Sequence, residues 1–142
     1  MTKEDLTIIL NLIKISPHLT DVQIRRGAND DLLDALGEHC CSLREINLAC
    51  STGVTDEGIR RLLLRDHSQP MRGQYPDHVI TLDQSEARPC HKTLTHVKLR
   101  GTRVRRDGVR LLLKYCLSLQ GVRCNIMDVL HSLSAFIKVT IY

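Results

Sequence analysis

Leu43-Arg44-Glu45-Ile46-Asn47-Leu48 has the form L-x-x-L-x-L, and the same form returns along the chain. Leu19-Thr20-Asp21-Val22-Gln23-Ile24 precedes it, Leu94-Thr95-His96-Val97-Lys98-Leu99 follows it, and Leu119-Gln120-Gly121-Val122-Arg123-Cys124 closes the series with Cys in the last apolar place. The copies start at residues 19, 43, 94 and 119. That is a period of about 25 residues with one gap of twice the length, a spacing typical of stacked structural repeats. The end of each copy alternates apolar and polar, which predicts a short strand with one buried face. Strands are expected near 20–24, 44–48, 95–99 and 120–124.

The segments after the strands repeat too. Val54-Thr55-Asp56-Glu57-Gly58-Ile59-Arg60-Arg61-Leu62-Leu63 aligns with Val104-Arg105-Arg106-Asp107-Gly108-Val109-Arg110-Leu111-Leu112-Leu113. In the first copy Leu32, Ala35 and Leu36 take the places of Ile59, Leu62 and Leu63 in an i, i+3, i+4 stripe. Thr55 or Asp56, and Asp107, are expected helix N-caps, because their oxygens can accept from orphan backbone N–H groups. Strand, polar turn and helix, stacked side by side, predict an α/β solenoid. A short parallel sheet would line its concave face and helices its convex face. Leu48, Leu63, Leu99 and Leu113 are expected to be buried.

The whole chain, 1–142, reads as one domain of about four units. Leu6, Ile9, Leu10 and Ile13 have helical spacing with no strand before them, and Met127, Leu130, Leu133 and Ile137 suggest a last helix without a polar cap. Both ends suit a piece of a longer array or a chain that packs its ends on something else. Residues 66–89 interrupt the pattern with Pro70, Gly73, Pro76 and Pro89. An inserted loop is the preferred reading, with a degenerate repeat as the alternative.

Composition agrees with stacked aliphatic layers. Trp is absent and Phe occurs once, so the core must be built from Leu, Ile and Val. The net charge of +4 permits an acidic partner without demanding a nucleic acid. No run approaches the ~18 apolar residues of a membrane span, and no signal-peptide pattern opens the chain. Six Cys without a C-x-x-C pair point to free thiols in the reducing cytoplasm or nucleus.

Cys40-Cys41-Ser42-Leu43-Arg44-Glu45-Ile46-Asn47-Leu48-Ala49-Cys50, followed by Val54-Thr55-Asp56-Glu57-Gly58, resembles the cysteine-containing leucine-rich repeat. That subtype has Cys before and after the strand and an I-T-D-x-G entry to the helix. The resemblance covers roughly residues 3–65 and 90–130. The third copy departs from it, with Arg105 and Arg106 in place of Thr-Asp and Thr102 rather than Cys after the strand. The resemblance implies a leucine-rich-repeat solenoid that recognises proteins. In F-box members such an array holds substrates for a cullin–RING ubiquitin ligase. No F-box-like segment occurs in this sequence, so the ligase role is implied by the repeat type alone.

Metal binding would need four converging ligands, usually from paired C-x-x-C spacings. His39-Cys40-Cys41 and Cys90-His91 lack them, and the cysteines read as small buried hydrophobes. The sequence carries no nucleophile or phosphate-loop signature, and no catalytic residue, metal or cofactor is expected. The candidate site is the polar set of strand positions, which alternation places on the concave surface. These are Asp21, Gln23 and Arg25; Glu45, Asn47 and Ala49; His96, Lys98 and Arg100; and Arg123 and Asn125. Arg103, Arg105 and Arg106 extend the basic end into the turn. The charge runs from mixed to basic along the array, which suits an acidic or phosphorylated protein segment held by arginine. The alternatives are a nucleic-acid- or phosphate-binding basic surface, weakened by the scarcity of stacking aromatics, and a purely structural scaffold fragment.

Overall fold

The structure, a computed structural model, describes residues 2–65 and 87–124 and the backbone of 140–141. The elements run α1 (Lys3–Lys14), β1 (Asp21–Gln23), α2 (Asp30–His39), β2 (Glu45–Asn47), α3 (Asp56–Leu63), a 3-10 turn (Pro89–Lys92), β3 (His96–Lys98), α4 (Arg106–Tyr115), β4 (Gly121–Arg123) and β5 (Thr140–Ile141). The strands form one sheet in chain order, β1-β2-β3-β4-β5, and every neighbouring pair is parallel. The fold is mixed α/β. Each expected strand is present, as a three-residue ladder at the centre of its L-x-x-L-x-L run.

Alternation sorts the sheet into two faces. Val22, Ile46, Val97 and Val122 point into a core that also holds Leu33 and Leu36 of α2, Ile59 and Leu62 of α3, and Val109 and Leu112 of α4. The helices therefore cover this face. The flanking strand residues point the other way, into solvent. Leu48, Leu63 and Leu99 are buried as expected, but Leu113 is half-buried.

The helix starts at Asp30, Asp56 and Arg106 correct the alignment of the first copy by one residue. Leu33 and Leu36, rather than Leu32 and Ala35, correspond to Ile59 and Leu62. Leu32 takes the place held by Gly58 and Gly108, and capping explains why those two are glycine. In α2, Asn29 accepts a hydrogen bond from its own helix, Leu32 N–H at 2.9 Å. In the next two helices the aspartate of the preceding helix takes over. Asp30 accepts from Thr55 N–H (2.9 Å) and from the Thr55 hydroxyl (2.6 Å). Asp56 Oδ1 accepts from Arg105 N–H (2.6 Å) and Gly108 N–H (3.1 Å). A Cβ on Gly58 would collide with the Asp30 carboxylate, and one on Gly108 would lie 2.6 Å from Asp56 Oδ1. Asp107, expected as an N-cap, is inside α4. Arg105 holds the cap position without a side-chain bond.

The turns after the strands correct a second alignment. Arg26, Cys50 and Gly101 occupy the same left-handed position, with φ of 61°, 64° and 77°. Gly101, not Thr102, therefore stands where the second copy has Cys50. Thr102 corresponds to Ser51. The Ser51 hydroxyl donates to Ile24 O and accepts from Ala28 N–H; that of Thr102 donates to Leu99 O and accepts from Val104 N–H. Each ties the turn to the end of a strand.

The expected insertion near 66–89 is shorter at its base. Leu64 and Ala87 form an antiparallel bridge, and Arg88 N–H donates to Leu63 O at 2.7 Å. The Arg88 side chain is buried. Its guanidinium donates to Asp34 O (2.7 Å) and lies 3.0 Å from the Asp34 carboxylate. Residues 87–89 thus belong to the packed layer. Residues 66–86, and the expected last helix of Met127–Ile137, lie outside the described residues.

Candidate functional site

The solvent face of the sheet carries its polar side chains in rows fixed by register. Asp21, Glu45, His96 and Gly121 form the first row, and Gln23, Asn47, Lys98 and Arg123 the second. A third row continues beyond the strands. Arg26 N–H donates to Ala49 O and Cys50 N–H to Arg100 O, so Arg25, Ala49 and Arg100 stand side by side. The sequence reading anticipated a drift from mixed to basic along the chain. Register adds a second gradient, along the strands, from an acidic first row to a basic third.

All the expected site residues other than Asn125, which lies outside the described residues, can be placed. Gln23, Arg25, Glu45 and Arg100 are exposed, and Asn47, His96, Lys98 and Arg123 are half-buried. Asn47 is partly occupied at home, because its Oδ1 accepts from Ala49 N–H at 3.1 Å. His96 Nδ1 lies 3.6 Å from a Glu45 carboxylate oxygen and 3.0 Å from the Thr95 hydroxyl. Arg103, Arg105 and Arg106 are exposed but not on the sheet face. Arg103 bridges to Thr55 in the turn, and the other two open α4. They form a rim above the third row. Arg26, exposed at its left-handed turn position, belongs to the same rim. It was missed in sequence because its equivalence to Cys50 and Gly101 emerges only from the backbone.

The face has no depth. The cleft bounded by Asp21, Gln23, Glu45, Asn47, His96 and Lys98 encloses about 20 Å³, room for little more than a water molecule. Small-molecule sites run to roughly 300–1,000 Å³. A larger open groove of about 340 Å³ lies between α1 and β1, lined by Ile9, Leu12, Ile13, Leu19, Val22 and Ile24. Ile8, Leu12 and Ile15 are exposed beside it.

The cysteines divide into two groups. Cys40, Cys90, Cys116 and Cys124 are buried, whereas Cys41 and Cys50 are exposed, contrary to a uniformly buried set. The Cys40 thiol approaches Ser16 O at 3.6 Å, and the Cys90 thiol donates to Leu62 O at 3.1 Å. Burial pushes all three of Cys40, Cys90 and Cys116 up, Cys90 to about 12. These thiols are neutral near pH 7 and poor nucleophiles. Among the described residues no three His, Cys, Asp or Glu side chains are grouped to hold a metal ion. Among them, too, no helix is long and apolar enough to cross a membrane.

No family model and no curated protein sequence matches the chain. Among solved structures, the chain is similar to leiomodin-1 actin-binding site 2. The TM-score is 0.57 at 13% identity, over 100% of this chain and 80% of that one. A likeness at that identity speaks to the fold alone.

Proposed function

We propose that the chain is a leucine-rich-repeat solenoid of about four units, and that it binds another protein through the solvent face of its sheet. The observation that carries this reading is the flat, register-ordered array of exposed and half-buried charged side chains on the solvent face of the sheet. It is too shallow for a metabolite and broad enough for a polypeptide. Conserving L-x-x-L-x-L while varying the intervening residues is how such arrays diversify one scaffold into different binding surfaces. The similar structure, leiomodin-1 actin-binding site 2, is by its name a protein-binding region. It supports protein binding as a class of function and says nothing for actin in particular.

The partner segment is acidic or phosphorylated. Lys98 and Arg123 are direct neighbours in register, Arg100 follows on the same face, and Arg103, Arg105 and Arg106 crowd the rim. Arg105 and Arg106 also sit at the start of α4, where the helix dipole disfavours cations. These are the positions at which the second copy has Thr55 and Asp56. Substrate capture for a cullin–RING ligase extends the reading, supported by the repeat pattern alone. A nucleic-acid surface would use the same arginines, and its binding would collapse with added salt whatever the sequence.

The test is affinity purification from the native source with the wild-type chain, with Arg100→Glu/Arg123→Glu, and with Arg110→Glu/Lys114→Glu on the helical side. Loss of a specific protein from the first pair alone supports the site. Equal effects from both pairs would reduce it to general surface charge. Ligase subunits among the retained proteins would support the extended reading.

A further inference from the structure

We propose that the open edge of β1 takes an extended segment of a partner protein as a further parallel strand. In order, the segment carries Lys or Arg, an aliphatic residue, any residue, a second aliphatic residue, and Asp or Glu. The site lies at the edge of the sheet and does not rest on the reading of its solvent face.

The strand at the edge is β1. Its backbone reaches β2 through alternate residues. Thr20 O accepts from Arg44 N–H at 2.7 Å, Ile24 N–H donates to Asn47 O at 2.8 Å, and Arg26 N–H donates to Ala49 O at 3.1 Å. Asp21, Gln23 and Arg25 therefore turn their backbone groups outward, a template for another strand. On the helical side of this edge lies the open groove between α1 and β1, lined by Leu12, Ile13, Val22 and Ile24 among others. Ile8, Leu12 and Ile15 extend it as an exposed stripe at i, i+4 and i+7. A contiguous apolar surface of this kind marks an interaction site, whereas single exposed aliphatics do not.

The chain itself shows what fits such a groove. The equivalent space between α2 and β2 is filled by Val22 and Ile24 of β1, and that between α3 and β3 by Ile46 and Leu48 of β2. Each filler is a pair of aliphatic side chains two residues apart on a parallel strand. The helices explain why the occupant is a bare strand and not a second copy of this chain. They pack in the order α1-α2-α3-α4, and α2 lies behind β1. Thus α1 overhangs the next strand position. A second copy offering its own β1 would bring its α2 into the place that α1 fills.

Charge sets the flanking residues. On the inner side, Asp21 has Glu45 as its lateral neighbour and Arg25 has Ala49. Among the described residues neither Asp21 nor Arg25 forms an ion pair. A parallel strand with a base beside Asp21 and an acid beside Arg25 gives each an opposite charge, a lateral pairing that stabilises sheets. In strand addition the backbone bonds supply affinity, and the pockets for alternate side chains supply specificity.

The probe is a labelled peptide of about ten residues, the length of a long strand, with Lys-Val-Thr-Ile-Glu at its centre. It is titrated against the full chain beside two isomers, one with Val and Ile adjacent and one with Lys and Glu exchanged. The variants are Gln23→Pro, which removes an outward N–H that the sheet does not use, and Leu12→Asp, which puts a charge in the groove. Asp21→Lys/Arg25→Glu and Arg100→Glu/Arg123→Glu complete the set. The adjacent isomer, Gln23→Pro and Leu12→Asp should each weaken binding at least about tenfold, and Asp21→Lys/Arg25→Glu should prefer the charge-exchanged isomer. Melting temperatures separate lost binding from lost folding. Should Gln23→Pro melt lower, Leu12→Asp still decides, because that side chain is already exposed. No binding up to about 1 mM peptide, or binding indifferent to Leu12→Asp and to the order of the aliphatic residues, would overturn the proposal. So would binding that only Arg100→Glu/Arg123→Glu abolishes, which would put the peptide on the solvent face and leave that reading standing.

Discussion

Removing the Asp56 carboxylate should loosen a helix to which Asp56 does not belong. In Asp56→Ala, the Arg105 and Gly108 N–H groups at the start of α4 lose the oxygen they share at 2.6 and 3.1 Å. Loss of an N-cap costs about 1 kcal/mol and up to ~2. An ionised acceptor and the burial of Gly108 place this case at the upper end, so we expect about 2 kcal/mol. Gly108→Ala attacks the same contact from the other side. Its Cβ would lie 2.6 Å from Asp56 Oδ1 and 2.7 Å from Val104 Cγ1, so the carboxylate must leave its cap. We expect a loss of about 2–3 kcal/mol, within the range for overpacking. The double variant removes the clash with the carboxylate and should lose at least about 0.5 kcal/mol less than the two singles combined, the signature of direct coupling. Urea titration read by circular dichroism measures each value, with the slope checked for constancy because stacked arrays can unfold in parts. Additive effects within about 0.3 kcal/mol, or an Asp56→Ala loss below about 0.5 kcal/mol, would refute cross-helix capping.

Leu99→Ala should cost roughly 2–5 kcal/mol, the range for a fully buried leucine, and half-buried Leu113→Ala clearly less; similar values in urea would contradict the observed burial. Under native conditions a thiol reagent should label Cys41 and Cys50 quickly and the other four cysteines only on unfolding, as counted by mass spectrometry. Stability should also fall in alkali. Burial raises the Cys90 thiol from 9.0 to about 12, so the unfolded chain releases its proton first. The thiol's contribution is full below about pH 9 and is lost as the pH rises toward 12. Melting temperatures measured from pH 7 to 11 should decline from about pH 9, and Cys90→Ala should flatten the decline. Glu57 works in the opposite sense. Hydrogen bonding from Arg60 lowers its carboxyl, so its small, solvent-screened contribution is present at neutral pH and is lost on acidification below the ordinary carboxylate range.

Periodicity alone located the first four strands, their parallel order and most of the buried aliphatic positions, but not β5 or the partial exposure of Leu113. Burial of one face and exposure of the other impose a two-residue alternation in strands and an i, i+3, i+4 stripe in helices, and both are readable residue by residue. Asp21, Gln23, Glu45, Asn47, His96, Lys98, Arg100 and Arg123 could be assigned to the solvent face for the same reason. Tertiary structure decided what no local pattern encodes. The Asp56 and Gly108 pairing joins residues 52 apart in sequence. Its sequence trace is an Asp that reads as the cap of its own helix and an unexplained Gly in the next copy. The common left-handed place of Arg26, Cys50 and Gly101 depends on backbone torsion, which alignment by residue type misassigned to Thr102. Arg88 looked like part of a polar insertion, because only the packed layer supplies the Asp34 carboxylate and carbonyl that make its burial tolerable. Register had the largest consequence for the candidate binding face. Sequence shows four charged strands, but only lateral pairing sets Asp21 beside Glu45 and Lys98 beside Arg123. Electrostatic energy depends on those distances between strands of the sheet, and a linear order of residues does not contain them.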